Sequence, residues 1–129
     1  VFGSHSLTHP KLVEVERSEL EIEIRQSKEN IENETGKVVE SFSYPYAFPE
    51  QSHECLVTLE KLLIESGYKT GVTTIIGRSS RNDRVFFLKR LPINDHDDIQ
   101  LFRATLEGGY DWLHACQKIF KKAKRRMNA

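Results

Sequence analysis

Helix-like and strand-like segments alternate along most of the chain, and this alternation limits the folds that are open to it. Apolar residues recur with a helical period over residues 18–35 and 52–66, which predicts two helices. Short apolar and β-branched runs at residues 38–42 and 72–76 predict two strands. Strands that alternate with helices favour a mainly parallel sheet, which must be covered on both faces or close into a barrel.

Capping residues set the expected ends of these helices. Ser18 and Glu21 have the spacing of a capping box, so the first helix is expected to begin at Ser18. Gly36 and Gly67 stand where a glycine ends a helix. The expected inward face of the first helix consists of Leu20, Ile24, Ser27 and Ile31. That of the second helix consists of Cys55, Leu59, Leu62 and Leu63.

The rest of the chain predicts one more strand and two more helices. The strand is expected at residues 85–88, and an aspartate at position 95, 97 or 98 could cap a helix that runs through Leu106. The last helix is expected over residues 110–125. It is basic at its end, which is ordinarily a solvated helix terminus, with binding to anionic surfaces as the alternative. We treat residues 110–129 as a C-terminal basic helix.

Composition excludes several functions. Among 129 residues, 19 Lys and Arg balance 19 Asp and Glu, which argues against a general nucleic-acid-binding protein. No apolar run approaches the roughly 18–20 residues of a membrane span. Cys55 and Cys116 are too few for a disulfide framework. The chain starts at Val1 with no initiator Met, so we expect a cut N-terminus and assign no compartment.

Two histidines lie four residues apart, in the string Gly-Ser-His-Ser-Leu-Thr-His-Pro. Imidazole is the commonest metal-binding side chain, and a tight loop or a helix would place His5 and His9 on one side. Ser6 stands where the helical metalloprotease motif has Glu, so that motif is excluded. On spacing alone, a pair of polar loop residues without a ligand is the alternative.

The string that holds these histidines resembles the second signature of the polysaccharide deacetylases, the NodB-like carbohydrate esterases, which is His-Ser/Thr-x-x-His. Residues 42–47, Phe-Ser-Tyr-Pro-Tyr-Ala, resemble their third signature, usually Phe-Arg-x-Pro-Tyr-Gly. One predicted helix and one predicted strand separate the two strings, as in that family. The resemblance implies an α/β fold, an incomplete (β/α) barrel of the NodB type, with residues 1–109 as its C-terminal part.

The resemblance also implies a chemistry. These enzymes hydrolyse the acetamide of N-acetylated sugars with a divalent metal, usually zinc. By match, His5 and His9 would be metal ligands, the main-chain N–H of Tyr46 would donate to the oxyanion, and Tyr44 and Pro45 would shape the groove wall. The expected partner is an N-acetylated oligo- or polysaccharide, with no nucleic acid and no membrane span.

The sequence departs from the family pattern at several points. The Asp-Asp pair that supplies the base and the third ligand is absent, and in the family it precedes the histidine signature. Ser43 replaces the usual Arg, Ala47 replaces the usual Gly, and the late Leu-x-His has no counterpart. A non-catalytic carbohydrate-binding or degenerate relative is therefore the alternative, and we expect the isolated chain to be inactive.

Overall fold

The computed structural model describes residues 1–46, 48, 52–113, 116 and 119. The chain divides into two compact units. The first unit comprises Val1–Thr74 and Asp83–Leu88, and the second comprises Ile75–Asn82 and Lys89–Ala129. Helices α1 and α2 and strand β1 lie in the first unit, and helix α3 lies in the second. Their bounds are α1 Arg17–Thr35, β1 Ser41–Ser43, α2 His53–Glu65, β2 Thr70–Ile76, β3 Leu88–Arg90 and α3 Ile99–Glu107.

The strands form a three-stranded sheet in the order β1-β2-β3. Strands β1 and β2 are parallel, with Phe42 opposite Gly71. On the other side of β1, Ser4 makes an isolated parallel bridge with Phe42, so the start of the chain lies beside this strand. Gly71 has no space for a side chain, because a Cβ there would lie 2.4 Å from the carbonyl oxygen of Phe86. These contacts confirm the expected α/β class with parallel strands.

The two short strands around β2 differ from their predicted positions. The strand expected at residues 38–42 is observed at Ser41–Ser43, and just before it the carbonyl of Glu40 accepts from the amides of Lys69 and Thr70 where β2 begins. The prediction of a strand at 85–88 is wrong in position, because the amide of Phe87 donates to the carbonyl of Arg84 in a turn and the strand begins at Leu88. Strand bounds depend on the partner strand, which the local sequence does not contain.

The helices lie close to their predicted bounds, but one capping prediction is wrong. Helix α1 begins at Arg17, with Glu16 as an N-cap whose side chain makes no capping hydrogen bond. Ser18 is therefore inside the helix and forms no capping box. Gly36 ends α1 with φ of 65°, as expected. The hydroxyl of Ser52 caps α2 by accepting from the amide of Cys55 at 3.4 Å.

The core of the first unit lies between α1, α2 and the sheet. Leu20 and Ile24 of α1 are buried, as are Leu59, Leu62 and Leu63 of α2. A chain of aromatic contacts continues this core under the segment after β1. Its ring centroids are 5.3 Å apart for Phe42–Tyr44, 4.9 Å for Tyr44–Phe48 and 5.2 Å for Phe48–Phe87. This cluster fixes the backbone where β1 ends.

In the second unit, Asp98 is the residue that caps α3. Its carboxylate accepts from the amide of Leu101 at 2.7 Å, and Gly108 ends the helix with φ of 109°. Of the helix expected over residues 110–125, Leu113, Cys116 and Ile119 are helical, and residues 114, 115, 117, 118 and 120–125 lie outside the described residues. No helix in the described part of the chain has the length and apolar character to cross a membrane.

Candidate active site

The two family-like strings meet at the carboxyl ends of neighbouring parallel strands. His5 follows Ser4, which bridges to β1, and the Tyr-Pro-Tyr string follows the last residue of β1, Ser43. The Nδ1 atom of His5 lies 2.8 Å from the main-chain oxygen of Ser43. Ligand sites in open α/β sheets lie at this edge of the sheet.

His5 and His9 face each other with their outer ring nitrogens. The two Nε2 atoms are 3.1 Å apart, and both side chains are exposed. Two nitrogen ligands at about 2.0–2.1 Å from one ion, at a near-tetrahedral angle, are about 3.3 Å apart. The observed 3.1 Å is the length of a hydrogen bond between the two rings, and it is also close to the separation expected for two ligands of a shared ion.

The hydrogen bond to Ser43 determines the tautomer of neutral His5. A carbonyl oxygen only accepts hydrogen bonds, so Nδ1 of His5 carries the proton. In the neutral ring, Nε2 then carries the lone pair that points towards His9. Metal-binding histidines are oriented in this way by a hydrogen bond from their other nitrogen. The residues present thus fit a metal ion.

Backbone strain is concentrated in the same two strings. Within the described residues, the non-glycine residues with positive φ are Ser6 at 70°, His9 at 59° and Tyr46 at 54°. Such conformations cost of order 1–3 kcal/mol each and persist where the surroundings fix them. The amide of His9 donates to Oγ of Ser6 at 3.1 Å, which closes the loop between the histidines.

A buried carboxylate holds the middle of this loop. Oε2 of Glu23 accepts from the amides of Leu7 at 2.8 Å and Thr8 at 2.9 Å, and Oε1 accepts from the hydroxyl of Thr8 at 2.5 Å. Burial raises the pKa of Glu23, but these hydrogen bonds more than offset it and leave the pKa below its usual value. Sequence reasoning missed Glu23, although its place on the buried face of α1 beside Ile24 was a signal.

The last residue of the Tyr-Pro-Tyr string packs against the histidine pair. The ring of Tyr46 is half exposed and lies 4.7 Å from that of His9 between centroids. The main-chain N–H of Tyr46 donates to none of the residues that the structure describes. Tyr44 is 1% exposed and Pro45 is also buried, so these two support the loop from beneath. Burial raises the pKa of the Tyr44 hydroxyl. Ala47 lies outside the described residues.

No third metal ligand joins the pair in the described ranges. These ranges contain no group of three or more His, Cys, Asp or Glu side chains that could hold a metal ion. The described residues therefore bring two imidazole nitrogens together, and any further ligand of an ion at this point would have to come from other groups. Such an arrangement could hold an ion that is open to water and substrate.

Comparison with known proteins decides the family. A family model described as polysaccharide deacetylase matches residues 1–65, which is half of the chain and includes both strings. The chain belongs to the polysaccharide deacetylase family. No curated protein sequence matches it significantly.

A solved structure shows the same fold. The Streptococcus pyogenes deacetylase PplD, in complex with acetate, superimposes with a TM-score of 0.70 at 22% sequence identity. The match covers 81% of this chain and 43% of the PplD chain. The matched part of this chain therefore spans less than half the length of the PplD chain. The expected family and α/β fold are confirmed.

Proposed function

We propose that this chain carries part of the active site of a metal-dependent carbohydrate N-deacetylase. The observation that carries the proposal is the His5–His9 pair, with its Nε2 atoms 3.1 Å apart and the His5 tautomer fixed by Ser43. Membership of the polysaccharide deacetylase family supports it, as does the fold shared with PplD. PplD was solved with acetate, the acid that N-deacetylation releases.

His5 and His9 would hold the ion, with zinc as the proposed metal. When bound, zinc supplies a Lewis acid that lowers the pKa of water towards about 7 and polarises a carbonyl. The role of His5 is to present a lone pair at Nε2, and the Ser43 carbonyl keeps the proton on the opposite nitrogen. His9 faces the same point from the strained end of the loop.

Tyr46 and its neighbours would act on the substrate. Hydrolysis of an acetamide places negative charge on the carbonyl oxygen, and a fixed main-chain N–H stabilises that charge. We assign this role to the N–H of Tyr46, whose left-handed backbone follows the buried Pro45. The exposed ring of Tyr46 lies beside His9, where a sugar ring could pack. Tyr44 and Pro45 hold this loop in position and so shape the groove from beneath. The proposed substrate is an N-acetylated oligo- or polysaccharide.

A binding function is the second candidate. Its motivation is Ser43 at the position where the family usually has Arg, together with the two-ligand site in the described residues. Such a relative would keep the fold and bind carbohydrate without releasing acetate. A longer form of the protein that contains the family's Asp-Asp pair would provide the test. This candidate would be favoured if that form bound both zinc and a chitooligosaccharide but released no acetate.

The test of the leading proposal is zinc binding by the double variant His5→Ala/His9→Ala. We expect calorimetric titration to show zinc binding in the wild type and its loss in the double variant. His96→Ala is the matched control, because His96 is an exposed histidine in a turn of the second unit. Equal zinc binding by the wild type and the double variant would disprove the proposal.

A further inference from the structure

We propose that Glu23 is a positioning residue for the histidine pair, an inference that rests on the proposed function. Glu23 lies on α1, outside both family-like strings, and touches neither imidazole by hydrogen bond. It acts through the two residues in the middle of the loop between the histidines, Leu7 and Thr8. Its carboxylate would set where His9 lies relative to His5.

The contacts of Glu23 use both of its oxygens. Oε2 accepts two main-chain amides, and Oε1 accepts the hydroxyl of Thr8. The residue is 7% exposed, so water cannot easily replace these bonds. Without the carboxylate, two amides and one hydroxyl would lose their acceptor, and a buried polar group without a partner is costly. The loop would therefore leave its present conformation to find new partners.

The backbone of the loop makes it sensitive to this loss. Ser6 and His9 flank Leu7 and Thr8, and both have positive φ. A strained conformation persists only where its surroundings fix it, and Glu23 supplies three of the hydrogen bonds that do so. The bond from the His9 amide to Ser6 is within the loop, so it moves with the loop and cannot anchor it.

The two histidines are anchored differently, which gives the proposal a specific signature. His5 is held by the carbonyl of Ser43, and the preceding Ser4 bonds to Ser41 and Ser43 of β1 and to Ser27 of α1. His9 lies beyond Leu7 and Thr8, and within the described residues its ring contacts are those to Tyr46 and to His5, with which it shares the Nε2–Nε2 hydrogen bond. Loss of Glu23 should therefore move His9 and leave the tautomer of His5 unchanged.

The experiment compares Glu23→Ala, which removes both carboxylate oxygens, with Glu29→Ala, a change at an exposed glutamate of the same helix. In zinc-free protein, we expect NMR cross-peaks from the His9 ring to His5 and Tyr46 to weaken or vanish in Glu23→Ala only. His5 should keep its Nδ1-protonated signature. Zinc affinity should fall by about 10- to 100-fold in Glu23→Ala, the usual effect of losing a group that orients a metal ligand.

A second pair of variants keeps the test valid where Glu23→Ala does not fold. Thr8→Val removes the hydroxyl that donates to Oε1, and Thr8→Ser retains it. We expect Thr8→Val to weaken the His9 cross-peaks and zinc binding, and Thr8→Ser to keep both at wild-type strength. Cross-peaks of wild-type strength in Glu23→Ala and in Thr8→Val would overturn the role of Glu23.

The same experiments distinguish an error in the proposed function from an error in the role of Glu23. A wild-type protein that binds no zinc would refute the metal site, while the His9 cross-peaks in zinc-free protein would still decide whether Glu23 positions the loop. Normal zinc binding in the wild type, together with unchanged cross-peaks and affinity in Glu23→Ala, would refute the positioning role alone.

Discussion

Tyr44 and Tyr68 are two buried tyrosines of the first unit whose hydroxyl groups have different partners. The hydroxyl of Tyr68 donates to the carbonyl of Ile24 at 3.0 Å. The hydroxyl of Tyr44 is buried and has no hydrogen-bond partner within the described ranges. Burial raises the pKa of both groups. One hydroxyl therefore contributes a hydrogen bond to the core, and the other carries a desolvation cost.

Substitution by Phe should separate the two cases. Tyr68→Phe removes a buried hydrogen bond and leaves the Ile24 carbonyl with one partner fewer, so the free energy of unfolding should fall by about 1 kcal/mol. Tyr44→Phe removes an unpartnered polar atom, and the free energy of unfolding should stay equal or rise. Urea unfolding of both variants gives the comparison. A larger loss for Tyr44→Phe than for Tyr68→Phe would contradict this account.

For individual residues, the sequence predicted which side chains form the candidate site better than it predicted their arrangement. His5, His9 and Tyr46 could be chosen from their strings, because metal-binding chemistry and the family pattern both restrict residue identity. Their roles stay predictions. The tautomer of His5 could not be predicted, because it depends on the Ser43 carbonyl, 38 residues away. Glu23 was missed because an acidic residue in a helix is ordinarily solvated, and only the fold brings Leu7 and Thr8 to it.

Helix α1 connects the site to the stability of the first unit through Glu23. Burial raises the pKa of this carboxyl, and the bonds from Thr8 and Leu7 lower it by more, so that the net pKa lies below 4.5. A folded-state pKa below the unfolded value means that ionised Glu23 stabilises the fold above the unfolded pKa. This stabilisation is lost as the pH falls through the folded pKa.

A pH series should reveal this contribution. Between about pH 6 and pH 3, the free energy of unfolding of the wild type should fall more steeply than that of Glu23→Gln, whose side chain does not titrate. Glu32 and Asp111 also have lowered pKa values, but both remain in the variant, so the difference between the two curves reports Glu23. Urea unfolding at each pH provides the measurement, with Glu29→Gln as the control. Parallel curves for the wild type and Glu23→Gln would be inconsistent with an ionised, hydrogen-bonded Glu23.

Helices and strands also differed in how well the sequence predicted them. The long helices α1 and α2 lie within one residue of their predicted bounds, because a helix is made of local hydrogen bonds and its apolar period repeats several times. Strand β3 was misplaced by three residues at its start. Its position follows from contacts with β2, such as the hydroxyl of Thr73 donating to the carbonyl of Leu88, and no local pattern contains these contacts.

For the whole molecule, the number of possible metal ligands around the histidine pair limits the activity expected of the isolated chain. Catalytic zinc sites generally use three protein ligands, and the described residues bring together two nitrogens with no third His, Cys, Asp or Glu side chain. General-base assistance contributes typically about 10²–10⁴-fold to such reactions. Family membership therefore does not imply that these 129 residues are active in isolation.

We expect the isolated chain, saturated with zinc, to release no acetate from a chitooligosaccharide above the rate of zinc in buffer. Two imidazoles bind the ion more weakly than three ligands do, and water without a base attacks the acetamide slowly. Acetate release should be measured for the wild type and for His5→Ala/His9→Ala, and the two rates should be equal within error. Zinc-dependent release that the double variant abolishes would contradict the expectation. It would mean that this chain provides a third ligand and a base outside the residues described around His5 and His9.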